Sequence, residues 1–257
     1  MKISVITLFP EMISGFLNHS ILKRAQEKNI VEIEVTNLRD FAIDSHGTVD
    51  DRPYGGGAGM VMRADVIAKA ITSITNYELR MTKRKIILTS AKGKPFNQAK
   101  AIELSKLNHV VIVAGHYEGV DERIMKYIDE EISLGDFVLT GGEIPTATIV
   151  DSIVRLLPGV LKKDEATEEE SFFQVSIDEL IGILGKTEIL VKLQKSGTKN
   201  VQLLEYPQYT RPEDFEAQSV PQELTSGNHE LIRKYRLQKA YEETVQKRPD
   251  LLDLRKE

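Results

Sequence analysis

ISVITLF, residues 3–9, followed at once by Pro10-Glu11, is the stretch whose reading decides the fold class. An apolar run broken only by Ser4 and Thr7 reads as a buried strand. Proline at the first helical position loses no hydrogen bond, so Pro10 opens a helical pattern that runs to about Lys28. Working outward, Ile30 to Val35 reads as a second strand. Arg39 to Gly59 is polar and glycine-rich, hence loop, and Ala64 to Asn76 is helical. Lys85–Thr89 and His109–Ala114 are further strands, with a helix between them that Asn97 can cap. Short apolar strands alternating with helices predict an α/β unit with a mostly parallel sheet covered on both faces. Ligands of such sheets sit beyond the carboxyl ends of the strands, which directs attention to Ser90–Pro95 and Gly115–Arg123.

The pattern changes after a helix at about Pro145–Leu157. Pro158-Gly159 ends it, and Lys162–Glu170 (KKDEATEEE) is charged with no apolar period. Amphipathic patterning returns over residues 177–195, residues 198–208 are irregular, and from Ser226 a helix carries Arg233, Lys234, Arg236 and Lys239. The expected organisation is an α/β domain over residues 1–160, a linker over 161–202 and a small helical domain over 203–257.

The chain has 257 residues, 41% hydrophobic and 28% charged, the composition of a folded globular protein. It contains no cysteine, which excludes disulfides, thiolate metal sites and cysteine nucleophiles and fits a reducing cytosol. The apolar run at the start is too short for a signal peptide, and no run approaches a membrane span, so the expected location is cytoplasmic with no membrane partner. A net charge of −5 argues against non-specific coating of nucleic acid and leaves room for a local basic face.

Three loops carry the candidate chemistry. Asp50–Met60 (DDRPYGGGAGM) sets four glycines behind Asp-Asp-Arg, a backbone able to lie against a phosphate or a base. It is neither a P-loop nor a dinucleotide fingerprint, because no Gly-Lys-Ser/Thr follows and the third fingerprint glycine falls on Met60. Alone it is as readily a surface turn. Gly115–Arg123 (GHYEGVDER) follows a strand directly; a helix N-terminus would explain Asp121 and Glu122 but not Tyr117 or Glu118. Ser133–Glu143 (SLGDFVLTGGE) brackets Phe137-Val138-Leu139 with glycines, which suits a flat adenine read by main-chain groups, or else a short strand between turns. No histidine spacing suggests a metal, so the five histidines read as structural or surface groups. Glu168, Glu169 and Glu170 by themselves read as a solvated run.

These three loops, in order with RLLPGV at Arg155–Val160, YPQYTRP at Tyr206–Pro212 and SGNHELIRKYR at Ser226–Arg236, closely resemble the bacterial tRNA (guanine-37-N1)-methyltransferases of the SPOUT superfamily. The resemblance runs nearly from end to end. It implies a homodimer whose N-terminal domain is a trefoil-knotted α/β sheet, an exception to the rule that chains avoid knots. It implies S-adenosylmethionine as methyl donor, held at Leu88, Thr89, Ser90, Gly115, Tyr117, Glu118, Leu134, Gly135, Asp136, Phe137, Val138, Leu139 and Gly141. It places tRNA with guanine at position 37 against Asp50, Asp51, Arg52, Tyr54 and the C-terminal helix. Residue patterns assign no metal ligand, and a role for Mg2+ stays open.

The chemistry agrees with that family. Guanine N1 carries a proton at neutral pH, so a base must remove it and a cation must stabilise the charge that collects on O6. The family uses an aspartate in the linker and an arginine after the last knot helix, which match Glu170 and Arg155. Glutamate is one methylene longer than the family's residue, and the stretch between Phe172 and Leu203, including DELIGILGKTEILVKLQK, is additional to the family pattern. Two other classes compete: an inactive tRNA-binding homologue of the same fold, and a nucleotide-phosphate enzyme, which lacks the lysine and hydroxyl its loop needs.

Overall fold

The computed structural model describes residues 1–76, 83–162 and 170–252. The chain divides into two compact units, Met1–Lys163 and Asp164–Glu257.

The first unit opens with β1 (Lys2–Thr7), α1 (Pro10–Leu17), α2 (Ser20–Glu27) and β2 (Glu32–Asn37). The single helix expected from Pro10 to Lys28 is therefore two. Asn18 and His19 interrupt it, and Ser20 sits at a φ of 50°, a left-handed conformation that no continuous helix contains. The expected loop Arg39–Gly59 contains a short strand, β3 (Asp50–Asp51), which pairs antiparallel with β4 (Val61–Met62) just beyond it. There follow α3 (Ala64–Asn76), β5 (Arg84–Pro95), α4 (Gln98–Ser105), β6 (His109–Ala114), β7 (Glu130–Ser133) and α5 (Glu143–Val154). Asn97 caps α4, its side chain accepting the Lys100 N–H at 3.0 Å.

Strands β2-β1-β6-β5-β7 form one sheet, and every pairing in it is parallel. Alternation along each strand divides the core. Ile3, Val5, Val110 and Ile112 face a layer that holds Ile13, Leu22, Leu104, Ile149 and Ile153. Ile6, Leu88, Val111 and Val113 face Val66, Ile67, Ile71 and Ile124. Both faces are apolar because both are covered by helices, which is why the strands read as unbroken apolar runs. Ser90–Pro95, expected to be a loop, continues β5: its pairing with β7 shifts register between Thr89 and Lys94, then resumes at Lys94–Ile132 and Pro95–Ser133. The intervening residues bulge at the carboxyl end of the sheet.

The second unit contains β8 (Phe173–Ser176), α6 (Ile177–Leu184), α7 (Glu188–Lys195), β9 (Asn200–Leu203), a hairpin of β10 (Asp214–Phe215) and β11 (Gln218–Ser219), α8 (Gln222–Thr225) and α9 (His229–Lys247). Strands β8 and β9 pair antiparallel. Val175, Ile177, Leu180, Leu190, Leu193, Val201 and Leu203 share one buried cluster with Leu237, Ala240 and Tyr241 of α9. This corrects the expected linker over 161–202. From Phe173 onward that stretch is part of the second unit, because its apolar side chains find their cover on α9 rather than solvent. Of the charged run Lys162–Glu170, residues 163–169 lie outside the described residues. Among the described residues no helix is long and apolar enough to cross a membrane.

Candidate active site

At the carboxyl ends of β5, β6 and β7 lies an open cleft of about 250 Å³. It is lined by Leu88, Thr89, Ser90, Gly115, Tyr117, Glu118, Leu134, Phe137, Val138, Leu139 and Gly141. Gly135 and Asp136, the remaining two residues expected at the cofactor, do not line it. They make the turn between Leu134 and Phe137, where Gly135 has a φ of 155° and exchanges hydrogen bonds with Ser133 Oγ. His116, Lys92, Glu122, Gly142 and Pro145 also reach the wall and were not expected.

Tight backbone packing shapes the cleft. Thr89 Oγ1 donates to the Val113 carbonyl at 3.3 Å and accepts the Gly115 N–H at 3.2 Å, tying the end of β5 to the exit of β6. The Gly142 N–H donates to the Gly115 carbonyl at 2.6 Å, and His116 bridges Gly141 antiparallel. A Cβ on Gly142 would collide with Thr89 Oγ1 and approach the Gly115 nitrogen to 2.6 Å. One on Gly141 would collide with the Glu143 carboxylate and reach the His116 ring at 2.7 Å. Both glycines are therefore required by space. Beside them Phe137, Val138 and Leu139 are exposed, Val138 by 86%, an apolar edge of the kind that marks a ligand site.

The glycine-rich loop is brought to the same place. The Glu118 N–H donates to the Met60 carbonyl at 3.1 Å, the Met62 N–H to the Gly119 carbonyl at 2.9 Å and the Asp121 N–H to the Met62 carbonyl at 2.9 Å. The Glu118 side chain lies against Gly59, whose φ of 85° disfavours any residue with a Cβ. Asp50 and Asp51 stand in β3, Asp51 Oδ1 accepts the Arg52 N–H at 2.7 Å, and Tyr54 is fully exposed. Asp121 takes the capping role that a helix N-terminus predicts. It accepts the Arg123 N–H at 3.0 Å, and the Arg123 guanidinium, clamped on both its oxygens, lowers its pKa to about 2. Tyr117 occupies a φ of 57°, a conformation costing roughly 1–2 kcal/mol for a residue with a Cβ, beside the cleft.

Arg155 is the C-cap residue of α5 in the first unit. Glu170 belongs to the second, where its carbonyl accepts the Phe173 N–H at 3.0 Å. Glu168 and Glu169 lie outside the described residues. No group of three or more metal-ligating side chains occurs among the described residues. In the second unit the Arg236 guanidinium stacks 4.8 Å over the Tyr206 ring and the Lys239 ammonium lies 5.9 Å over Tyr235. Burial and the neighbouring Tyr209 hydroxyl push the Tyr235 phenol up to about 12. YPQYTRP and SGNHELIRKYR thus meet in one basic, aromatic surface.

Two of the unexpected residues, His116 and Glu143, carry no signal in the sequence that points to the site. His116 fell among the histidines taken as structural. Glu143 closes the quoted SLGDFVLTGGE, but no residue spacing shows that it is buried beneath the glycines.

Comparison with known proteins agrees with this geometry. The family model described as tRNA (Guanine-1)-methyltransferase TrmD matches residues 1–254. Relatives named tRNA (guanine-N(1)-)-methyltransferase include one from Dictyoglomus turgidum, 49% identical over 253 residues, covering 98% of this chain and 90% of the relative. Another, from Clostridium botulinum, is 48% identical over 251 residues, covering 98% and 92%. A third, from a Geobacter species, is 46% identical over 254 residues, covering 98% and 90%. With a parallel α/β sheet, a glycine-walled cleft at its carboxyl edge and agreement along nearly the whole chain, the protein belongs to the TrmD family of tRNA (guanine-1)-methyltransferases within the SPOUT superfamily.

Proposed function

We propose that the protein transfers a methyl group from S-adenosylmethionine to N1 of guanine 37 in tRNA. The observation that carries this reading is the cleft: main-chain edges at Leu134–Leu139, two glycines that space alone requires and an exposed apolar rim fit an adenosine whose edge is read by backbone groups. When bound, the cofactor supplies an electrophilic methyl group. The chain's own part is to expose the guanine lone pair. Glu170 removes the N1 proton, and the Arg155 guanidinium meets the negative charge that grows on O6.

The passage of residues 134–142 against the exit of β6 is read as part of a trefoil knot. Asp50, Asp51, Arg52 and Tyr54 and the basic aromatic surface of α9 contact the tRNA. Met12 and Phe16 of α1 and Ile144 of α5 are exposed on helices that pack together, and a second copy of the chain is their proposed cover in a homodimer working in the cytoplasm. In that dimer an Arg155→Ala chain mixed with a Glu170→Ala chain regains activity if each site draws on both copies.

The decisive assay is methyl transfer to tRNA transcripts carrying guanine or adenine at position 37. Transfer to the guanine transcript alone is expected. The second reading, an inactive tRNA-binding homologue, is favoured by glutamate standing at the base position. It predicts tRNA binding with no transfer, and Glu170→Asp then restores activity.

A further inference from the structure

Glu143 opens α5, is 2% exposed and is absent from the cleft wall. Its Oε1 accepts the Thr7 hydroxyl at 2.7 Å, while Oε2 is buried with no hydrogen-bond partner among the described residues. An unmatched carboxylate oxygen in the interior is costly, and such an atom calls for a donor in the working state. His116 supplies a candidate. A Cβ on Gly141 would collide with Glu143 Oε2 and come within 2.8 Å of His116 Nε2, so both groups border the one position that has no side chain. His116 Nδ1 accepts the Tyr117 N–H at 3.0 Å, so the neutral ring carries its proton on Nε2, the atom on the carboxylate's side. The ring is held by Phe9, 5.0 Å away, and the Phe9 N–H donates at 3.0 Å to the same Thr7 hydroxyl that serves Glu143. Thr7, Phe9, His116 and Glu143 are therefore joined in one chain of contacts that borders Gly141.

We infer that Glu143 is a positioning residue for cofactor binding: its buried Oε2 accepts the Nε2–H of His116 and fixes the turn carrying Tyr117 and Glu118 against Gly141-Gly142. No proton changes hands. The pairing supplies the outside constraint that the left-handed conformation of Tyr117 requires. The inference rests on the proposal that the cleft holds S-adenosylmethionine, and the test separates the two.

Calorimetric titration of the full chain with S-adenosylhomocysteine is done for the wild type, Glu143→Gln, His116→Phe and the double variant. Each single change should weaken binding about tenfold, the scale of one lost charged hydrogen bond, and the double variant should bind no worse than the weaker single. Effects that multiply, or single variants with wild-type affinity, overturn the pairing. A wild type that does not bind overturns the cofactor reading instead. Should the variants fail to fold, 15N-histidine spectra of the wild type decide: a slowly exchanging His116 Nε2–H is expected with the ligand bound, and a ring protonated only at Nδ1 overturns the inference.

Discussion

The two units handle function in opposite ways. In the first, the candidate site is made of main chain: strand ends, glycines with no room for a Cβ, and a buried layer that holds them. In the second, the residues proposed to contact tRNA are side chains on the outer face of a helix, with Arg236 and Lys239 over tyrosine rings, and folding depends on apolar residues delivered by 173–203. The difference teaches where single substitutions are felt. A main-chain cleft is broken by adding atoms, whereas a side-chain surface is altered only by removing them.

The largest expected effect tests whether the proposed base, Glu170 of the second unit, acts apart from the cofactor cleft of the first. Glu170→Gln keeps size and hydrogen bonding but cannot accept a proton. Single-turnover methyl transfer should fall about a hundred- to ten-thousandfold with S-adenosylmethionine affinity unchanged. Equal losses in both would dissolve the division of labour.

Leu190 is fully buried in the second unit's cluster, and Leu190→Ala should lower stability by about 2–5 kcal/mol in urea unfolding. Cofactor binding by the native protein should hardly change, since none of the cleft residues lies in that unit. A comparable loss of cofactor affinity in the folded variant would show that the second unit supports the cleft.

Gly141→Val inverts the experiment by adding atoms where the Glu143 carboxylate and the His116 ring already fill the space. Cofactor affinity should drop more than about tenfold, measured by titration of the folded variant, because overpacking typically costs 1–3 kcal/mol. Normal affinity would mean that the cofactor does not depend on this wall.

The smallest effect concerns the ion network on the first unit. The Lys100 and Lys85 ammonium groups hold the Glu103 carboxyl at about 2, below its ordinary 4.5. A carboxyl whose folded pKa is depressed contributes stability above its unfolded value and loses it as pH falls from about 4.5 through about 2. Glu103 is about half exposed, so the contribution should stay below about 1 kcal/mol. Glu103→Gln should flatten the acid limb of Tm against pH slightly, and an unchanged limb would assign the network no role in stability.

Much of the first unit was legible in its residues. Apolar runs at 3–9, 85–89 and 109–114 can only be strands buried on both faces, and Pro10 and Asn97 mark helix starts through backbone chemistry that is local. The lining residues were legible through family likeness rather than spacing, because DDRPYGGGAGM and GHYEGVDER taken singly also describe surface turns. Periodicity did not reveal the break at Ser20, the continuation of β5 through residues 90–95 or the incorporation of 173–203 into the second unit. Each depends on partners distant in the chain: β7 accepts the bulged end of β5, and α9 covers the apolar faces of α6 and α7. Composition and short-range pattern determined an α/β unit followed by a basic helical one. Only the tertiary structure decided that Gly141 and Gly142 are glycines for want of space and that Glu143 lies buried near His116, because Thr89, Ala114, Gly115 and His116, which crowd the two glycines, stand 25 or more residues before them in the sequence.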